Sequence, residues 1–364
     1  MLKRLLAFGL CFCLIIGLTA CDLQFELPEF DYVFNFSDIS VPQVSTENIS
    51  SQNQSNTSSS NTTKSKIVQN ASLENVISSP KLNSNDSLFA MQVTITKEEY
   101  FQYSTLNNSE KAIYNDICKA IESTKNVINL SKYNIDYEKM WGIFQKVIAD
   151  NPQYFWVSKF IEYTHFNVGS KNKIIDLILF YTDGTVTDNI SNNKLTTVAS
   201  RKKIANQISQ VNRVVEGIIE NIPFWYSEIE KEYLIHDAVI ELVTYDSDTA
   251  NKEITRNNYT RIYDIYGAAV NEKAVCEGYS RLFQYLCYLV GINSTIVVGT
   301  ANDEPHAWNA VQIDFYWYHT DVTWDENYID YFSFVNYNNL TLKQITNDHD
   351  IDYSYLVVPA TNGY

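Results

Sequence analysis

Glycine and proline are scarce, at 11 and 7 of 364 residues. That excludes collagen-like and Gly-rich fibrous classes. Basic side chains are also few: 27 Lys and Arg stand against 43 Asp and Glu, a formal charge of −16. Such a chain repels phosphate, so no nucleic-acid partner is expected. Six cysteines, three of them in the first 21 residues, are too sparse for a disulfide scaffold. No Cys or His pair has zinc spacing, and His165, His236 and His349 stand isolated along the chain, so no metal and no cofactor is expected. What the chain does have is apolar material. At 45% hydrophobic, its length allows two domains plus tails.

The first 20 residues read as a signal peptide. Lys3 and Arg4 lead an uncharged apolar stretch, Leu5 to Ala20, of 16 residues. A spanning helix needs about 20. The stretch ends in Leu18-Thr19-Ala20-Cys21, which resembles a bacterial lipobox, with Cys21 the lipidated mature N-terminus. Losing residues 1–20 removes two basic groups and no acid, so the charge moves from −16 to −18. Acyl chains rather than electrostatics must then hold the protein to an anionic bilayer. The expected location is extracytoplasmic, as a lipoprotein anchored to the cell membrane. Cys118, Cys276 and Cys287 remain as thiols, an odd count that leaves at least one unpaired.

Residues 21–87 read as a lipid-anchored tether. Positions 43–66 are almost wholly Ser, Thr, Asn and Gln, which cannot bury enough apolar surface to offset ordering entropy. A coil of about 65 residues spans on the order of 45 Å. The aromatic stretch Phe25 to Phe36 within it has no evident role. Residues 88–199 read as an accessory α+β region. Ile113, Ile117, Ala120 and Ile121 mark one helix, capped by Ser109; Met140, Phe144, Val147 and Ile148 mark a second, ending at Asn151-Pro152. Strand-like runs follow at 154–166 and 174–182. Residues 200–364 begin with a long helix carrying Ile204, Ile208, Val211, Val215, Ile218 and Ile222, then another over about 227–243.

The chemistry concentrates between 276 and 325. Tyr279, Leu282, Phe283, Leu286, Leu289 and Val290 recur at helical steps, and Gly291 is a good stop. Cys276 therefore begins a helix. There the dipole favours thiolate and a backbone N–H can serve an oxyanion. A small buried hydrophobe at a core helix would give the same pattern. Cys287 lies about 16 Å along the axis, cannot bridge to Cys276, and reads as core.

A nucleophilic cysteine needs a base with an orienting group. His306 to Ile313 and Tyr316 to Asp321 read as a hairpin turning at Asp314-Phe315. Pairing Ile313 with Tyr316 makes His306 and Asp321 diagonal neighbours on one face, about 7–8 Å apart at Cβ. A one-residue slip would separate them. His319 shares the face and is the rival base. Phe315 is unusual in a turn that demands positive φ. Trp308, Trp317 and Trp324 serve packing at least as readily as a substrate groove.

These residues resemble the transglutaminase-like superfamily through 235–246, 266–286, Gly291-Ile292, HAWNAV (306–311) and WYHTDVTWDE (317–326), roughly across 200–364. NPQYFWV (151–157) resembles the segment that precedes this core in secreted bacterial members. The resemblance implies an α+β, papain-like fold in which a Cys-bearing helix packs on an antiparallel sheet. It implies Cys276 as nucleophile, His306 as base and Asp321 as its orienter. Glu272 stands where relatives often have Gly. The second oxyanion donor has no clear candidate; Tyr266 is the nearest, though aromatics there more often pack.

The expected function is cysteine-based acyl transfer on a protein or peptide amide, cell-wall peptide included, through a thioester that water or an amine resolves. The rival expectation is a wall- or glycan-binding lipoprotein that keeps the fold without catalysis, in line with 14% aromatic content.

Overall fold

One helix organises the fold. In this computed structural model the described residues are 94–168, 171–182, 198–250, 260–326 and 337–360. All of them fall in one compact unit. The expected signal peptide, the tether and Cys21 lie outside them. No helix among the described residues is long and apolar enough to cross a membrane. The architecture is α+β, as the sequence implied.

Helices α1 (Asn108–Glu122) and α2 (Tyr137–Asp150) pack on each other, and α2 also packs on strand β3. Strands β1 (Val127–Asn129), β2 (Val157–Val168) and β3 (Lys171–Tyr181) form an antiparallel sheet in the order β1-β3-β2. The cap of α1 is Asn107 rather than Ser109. Its side chain accepts from Ser109 N and Glu110 N while Glu110 reaches back, a reciprocal arrangement that satisfies orphan donors.

The second half runs through α3 (Val198–Ile219), α4 (Glu228–Leu242), β4 (Thr244–Tyr245), α5 (Ile265–Val270), β5 (Lys273–Ala274) and α6 (Cys276–Leu289). Strands β6 (Ser294–Ala301), β7 (Glu304–Ile313) and β8 (Tyr316–Thr320) follow, then α7 (Val322–Glu326), α8 (Leu342–Ile345) and β9 (His349–Ile351). The sheet order β8-β7-β6-β9 is antiparallel throughout.

Helix α6 is buried on every side, packed against β6 and β7 and touched by α4, α5 and α7. Tyr279, Leu282, Phe283 and Leu286 have no exposure, and burying each contributes roughly 1.5–3 kcal/mol. Gly278 admits the chain before α5: a Cβ there would meet Ile262 O at 2.6 Å.

Polar seams join the front segment to this core. Arg261 Nη1 donates to Phe155 O (2.6 Å) and pairs with Asp264 (3.0 Å), which fixes the 151–157 segment. Gln284 Nε2 donates to Ala149 O (3.0 Å), and Arg281 Nη1 to Ile148 O (2.8 Å). These bonds set one wall of the cleft described next.

Candidate active site

The β7–β8 hairpin takes the register its sequence implied: Ile313 pairs with Tyr316 and Asn309 with Thr320. Both turn residues adopt positive φ, 48° at Asp314 and 73° at Phe315. That is the backbone a two-residue turn needs. Phe315 tolerates it by standing in solvent, 92% exposed. Glu272 likewise has φ 56°, which is the physical reason a glycine suits that position.

Cys276 is the first residue of α6, after an extended Val275. Its N–H is one of the orphan donors of a helix start. Ser280, one turn on, fixes this end of the helix to the sheet. Its Oγ lies 2.8 Å from Cys276 O and 3.0 Å from Ala307 O, so it can donate to either. Asn309 Nδ2 donates to Ser280 O (3.1 Å). The residue before Ala307 is His306.

His306 Nε2 lies 2.7 Å from Asp321 Oδ2, and Cys276 lines the same cavity as this ring. Burial alone would lower the pKa of His306. The Asp321 charge and hydrogen bond, with a further push from Cys276, outweigh burial and raise it to about 10. Burial would raise Asp321. His306, and then His349, hold it instead at about 2. Asp321 Oδ1 accepts from Thr323 N (3.1 Å) and Trp324 N (3.3 Å), so the carboxylate also caps α7.

The rival base is elsewhere. His319 does not line the cavity that Cys276 and His306 share. Its Nδ1 accepts from Trp308 Nε1 (3.1 Å), and burial, with His349 nearby, lowers its pKa to about 4. Trp308 is fully buried, and Trp317 and Trp324 pack beside it. Tyr266 is turned away: its hydroxyl donates to Gln210 Oε1 (3.0 Å) and its ring meets Phe155. Cys118 and Cys287 are buried, and burial pushes both thiols up.

Two histidines read as isolated in sequence are not isolated in space. His236 Nε2 lies 2.9 Å from Asp325 Oδ2. His349 Nε2 lies 3.1 Å from Asp321 Oδ2, the oxygen His306 already holds. Sequence spacing could not join them, because β9 reaches β6 only through a non-local pairing, Ala301 with His349. His306, Asp321 and His349 are the kinds of residue that ligate metals. Here both ring nitrogens sit at hydrogen-bond distance from one carboxylate oxygen.

A cavity of about 530 Å³ opens onto Cys276 and His306. Its walls include Trp141, Phe144 and Gln145 from α2, Lys159 from β2, Tyr245, Tyr263, and Tyr355 with Leu356 from the C-terminal segment. Glu277, beside the cysteine, pairs with Lys159 and with Arg281 Nε (2.9 Å). No periodicity signalled these wall residues, since five separate stretches of chain supply them.

A thiol at a helix start and an imidazole held by a buried carboxylate thus face one cleft. Residues 213–322 match the family model of the transglutaminase-like superfamily, so the chain carries a transglutaminase-like domain across that span. Members of this superfamily are generally cysteine-nucleophile enzymes, some of them inactive. The chain is 25% identical over 134 residues to mouse (Mus musculus) kyphoscoliosis peptidase, a match that covers 34% of this chain and 19% of that protein. It thus spans about a fifth of that relative's length. It is similar in part to a crystal structure of a TGase, with TM-score 0.31, 20% identity, and 51% of this chain and 48% of that one covered. It is similar likewise to a candidate cysteine protease from Cytophaga hutchinsonii, with TM-score 0.27, 14% identity, and 54% and 66% covered.

Proposed function

We propose that this protein is a cysteine acyl-transfer enzyme acting on protein or peptide amides, held outside the cytoplasm by a lipid on Cys21. The carrying observation is the opening of Cys276 and His306 onto one cavity while Asp321 holds the far side of the imidazole at 2.7 Å.

In this reading the Cys276 thiolate attacks the amide carbonyl carbon. The oxyanion collapses, the C–N bond breaks, and His306 gives its proton to the departing amine. Water or a second amine then attacks the thioester and loses a proton to His306. The C–S bond breaks and the thiolate returns. Asp321 holds the ring orientation throughout.

The Cys276 N–H is one oxyanion donor, and the Tyr245 hydroxyl is assigned as the second. Tyr245 lines the cavity, and its strand pairs with β5 at Ala274, two residues before the nucleophile. Burial and the nearby Cys276 raise its pKa to about 12, so the phenol keeps its proton to donate. The segment expected at 88–199 completes the cleft through Trp141, Phe144 and Lys159.

The test is incubation with casein, with and without a fluorescent alkylamine. Fragments mean transfer to water and labelled casein means transfer to amine; either must vanish in Cys276→Ala. Product formation that persists in Cys276→Ala would end the proposal.

A further inference from the structure

The Asp321 carboxylate is shared. His306 and His349 both direct Nε2 at Oδ2, at 2.7 and 3.1 Å, while Oδ1 takes two backbone donors. A carboxylate oxygen has two good acceptor directions, and here both are used. His349 is itself held from behind: Nδ1 lies 2.6 Å from Asp348 Oδ1, and Asp348 Oδ2 accepts the Tyr337 hydroxyl at 2.7 Å. Its side chain is wholly buried, against Trp324 (ring centroids 4.6 Å) and Trp308 (4.9 Å). Gly299 lets this strand approach β6, since a Cβ there would meet Asp350 O at 1.9 Å.

We infer that His349 is a positioning residue for acyl transfer: by donating to Asp321 it fixes the carboxylate that aims His306 at Cys276. The site is then a line of four side chains, Cys276, His306, Asp321 and His349, anchored by Asp348. This rests on the acyl-transfer reading and adds to it a member that does not touch substrate. With His349 absent, Oδ2 loses one of its two donors and the carboxylate can swing about its two backbone bonds. A buried acceptor left short of a donor is costly, and a loosened orienting group misaims the base. The other titratable groups around His349 among the described residues are His306, His319 and the Tyr337 hydroxyl, besides the two carboxylates.

The test separates donation from packing. His349→Gln keeps an N–H donor at similar reach and loses the ring. His349→Phe keeps the ring between Trp308 and Trp324 and loses the donor. In both variants, with thermal melting checked, the rate of Cys276 alkylation by iodoacetamide is followed from pH 5 to 10. The expected result is a rate near wild type for His349→Gln. For His349→Phe it is a fall of about tenfold to a hundredfold at neutral pH, the range typical of lost outer hydrogen-bond partners. The alkaline limb of the His349→Phe profile should also move, since Asp321 then serves His306 alone. Phe tolerated as well as Gln, or Gln no better than Phe, overturns the inference, as does failure of the Gln variant to fold. His306→Ala is the control. If it too leaves the profile unchanged, the triad reading falls; if it alters the profile and the His349 pair does not, only the role of His349 falls.

Discussion

The buried pairs His306–Asp321 and His236–Asp325 look alike, yet of these two histidines only His306 lines the cavity onto which Cys276 opens. His306–Asp321 and His236–Asp325 have N···O distances of 2.7 and 2.9 Å, and in both the histidine is raised to about 10. For His236 burial would lower the pKa, and hydrogen bonds to Asp237 and Asp325 outweigh it. Asp325 Oδ1 accepts from Tyr337 N (2.8 Å), so this pair ties α4 to the chain beyond α7. Near it Glu232, raised to about 7 by burial, accepts from Asn338 and Asn339. His306 shares its cavity with a thiol; His236 does not line that cavity. A tuned imidazole is thus not a site by itself. Access and a nucleophile within reach make the difference, so a pKa shift alone would have chosen both.

The sharpest break in the comparison is chemical. Cys276→Ala or His306→Ala should lower turnover by several orders of magnitude, the scale of nucleophile or base loss in other triads, while His236→Asn leaves kcat near wild type wherever the protein stays folded. Steady-state kinetics on casein at a permissive temperature decides this. Equal losses for His306→Ala and His236→Asn would erase the distinction. Next in size is the oxyanion hole. Tyr245→Phe should cost about 10²–10³ in kcat with KM little changed.

The structural pair should show the opposite profile. Asp325→Asn leaves His236 without its buried partner and should destabilise by roughly 3–5 kcal/mol, read by urea unfolding. The smallest effect is the pH dependence common to both pairs. Histidines raised from 6.5 to about 10 contribute stability that is complete below pH 6.5 and is lost as pH rises toward 10. The thermal midpoint should therefore fall across that window, and His236→Asn should flatten part of the slope.

Much of this was legible in the chain, and the reason is local. The stripe Tyr279, Leu282, Phe283, Leu286 fixes where α6 starts, and hence where Cys276 stands. Period-two alternation and a two-residue turn fix His306 against Asp321, and the register needs nothing from elsewhere. The α1 cap is Asn107 where periodicity points to Ser109, since both are good caps and only the reciprocal bond with Glu110 chooses between them. His349, Tyr245 and the α2 and Tyr355 walls of the cleft were not legible as site residues. Their places depend on non-local packing, and β9, three residues long, carries no periodic signal.

The most direct test needs no substrate. Alkylation by iodoacetamide at neutral pH, read by peptide mass spectrometry, compares Cys276 with Cys118 and Cys287 in the folded protein and in His306→Ala. The account predicts that Cys276 reacts far ahead of the two buried thiols and that its lead shrinks when His306 is removed. Cys276 reacting no faster than Cys118 or Cys287, or equally fast with and without His306, would contradict it.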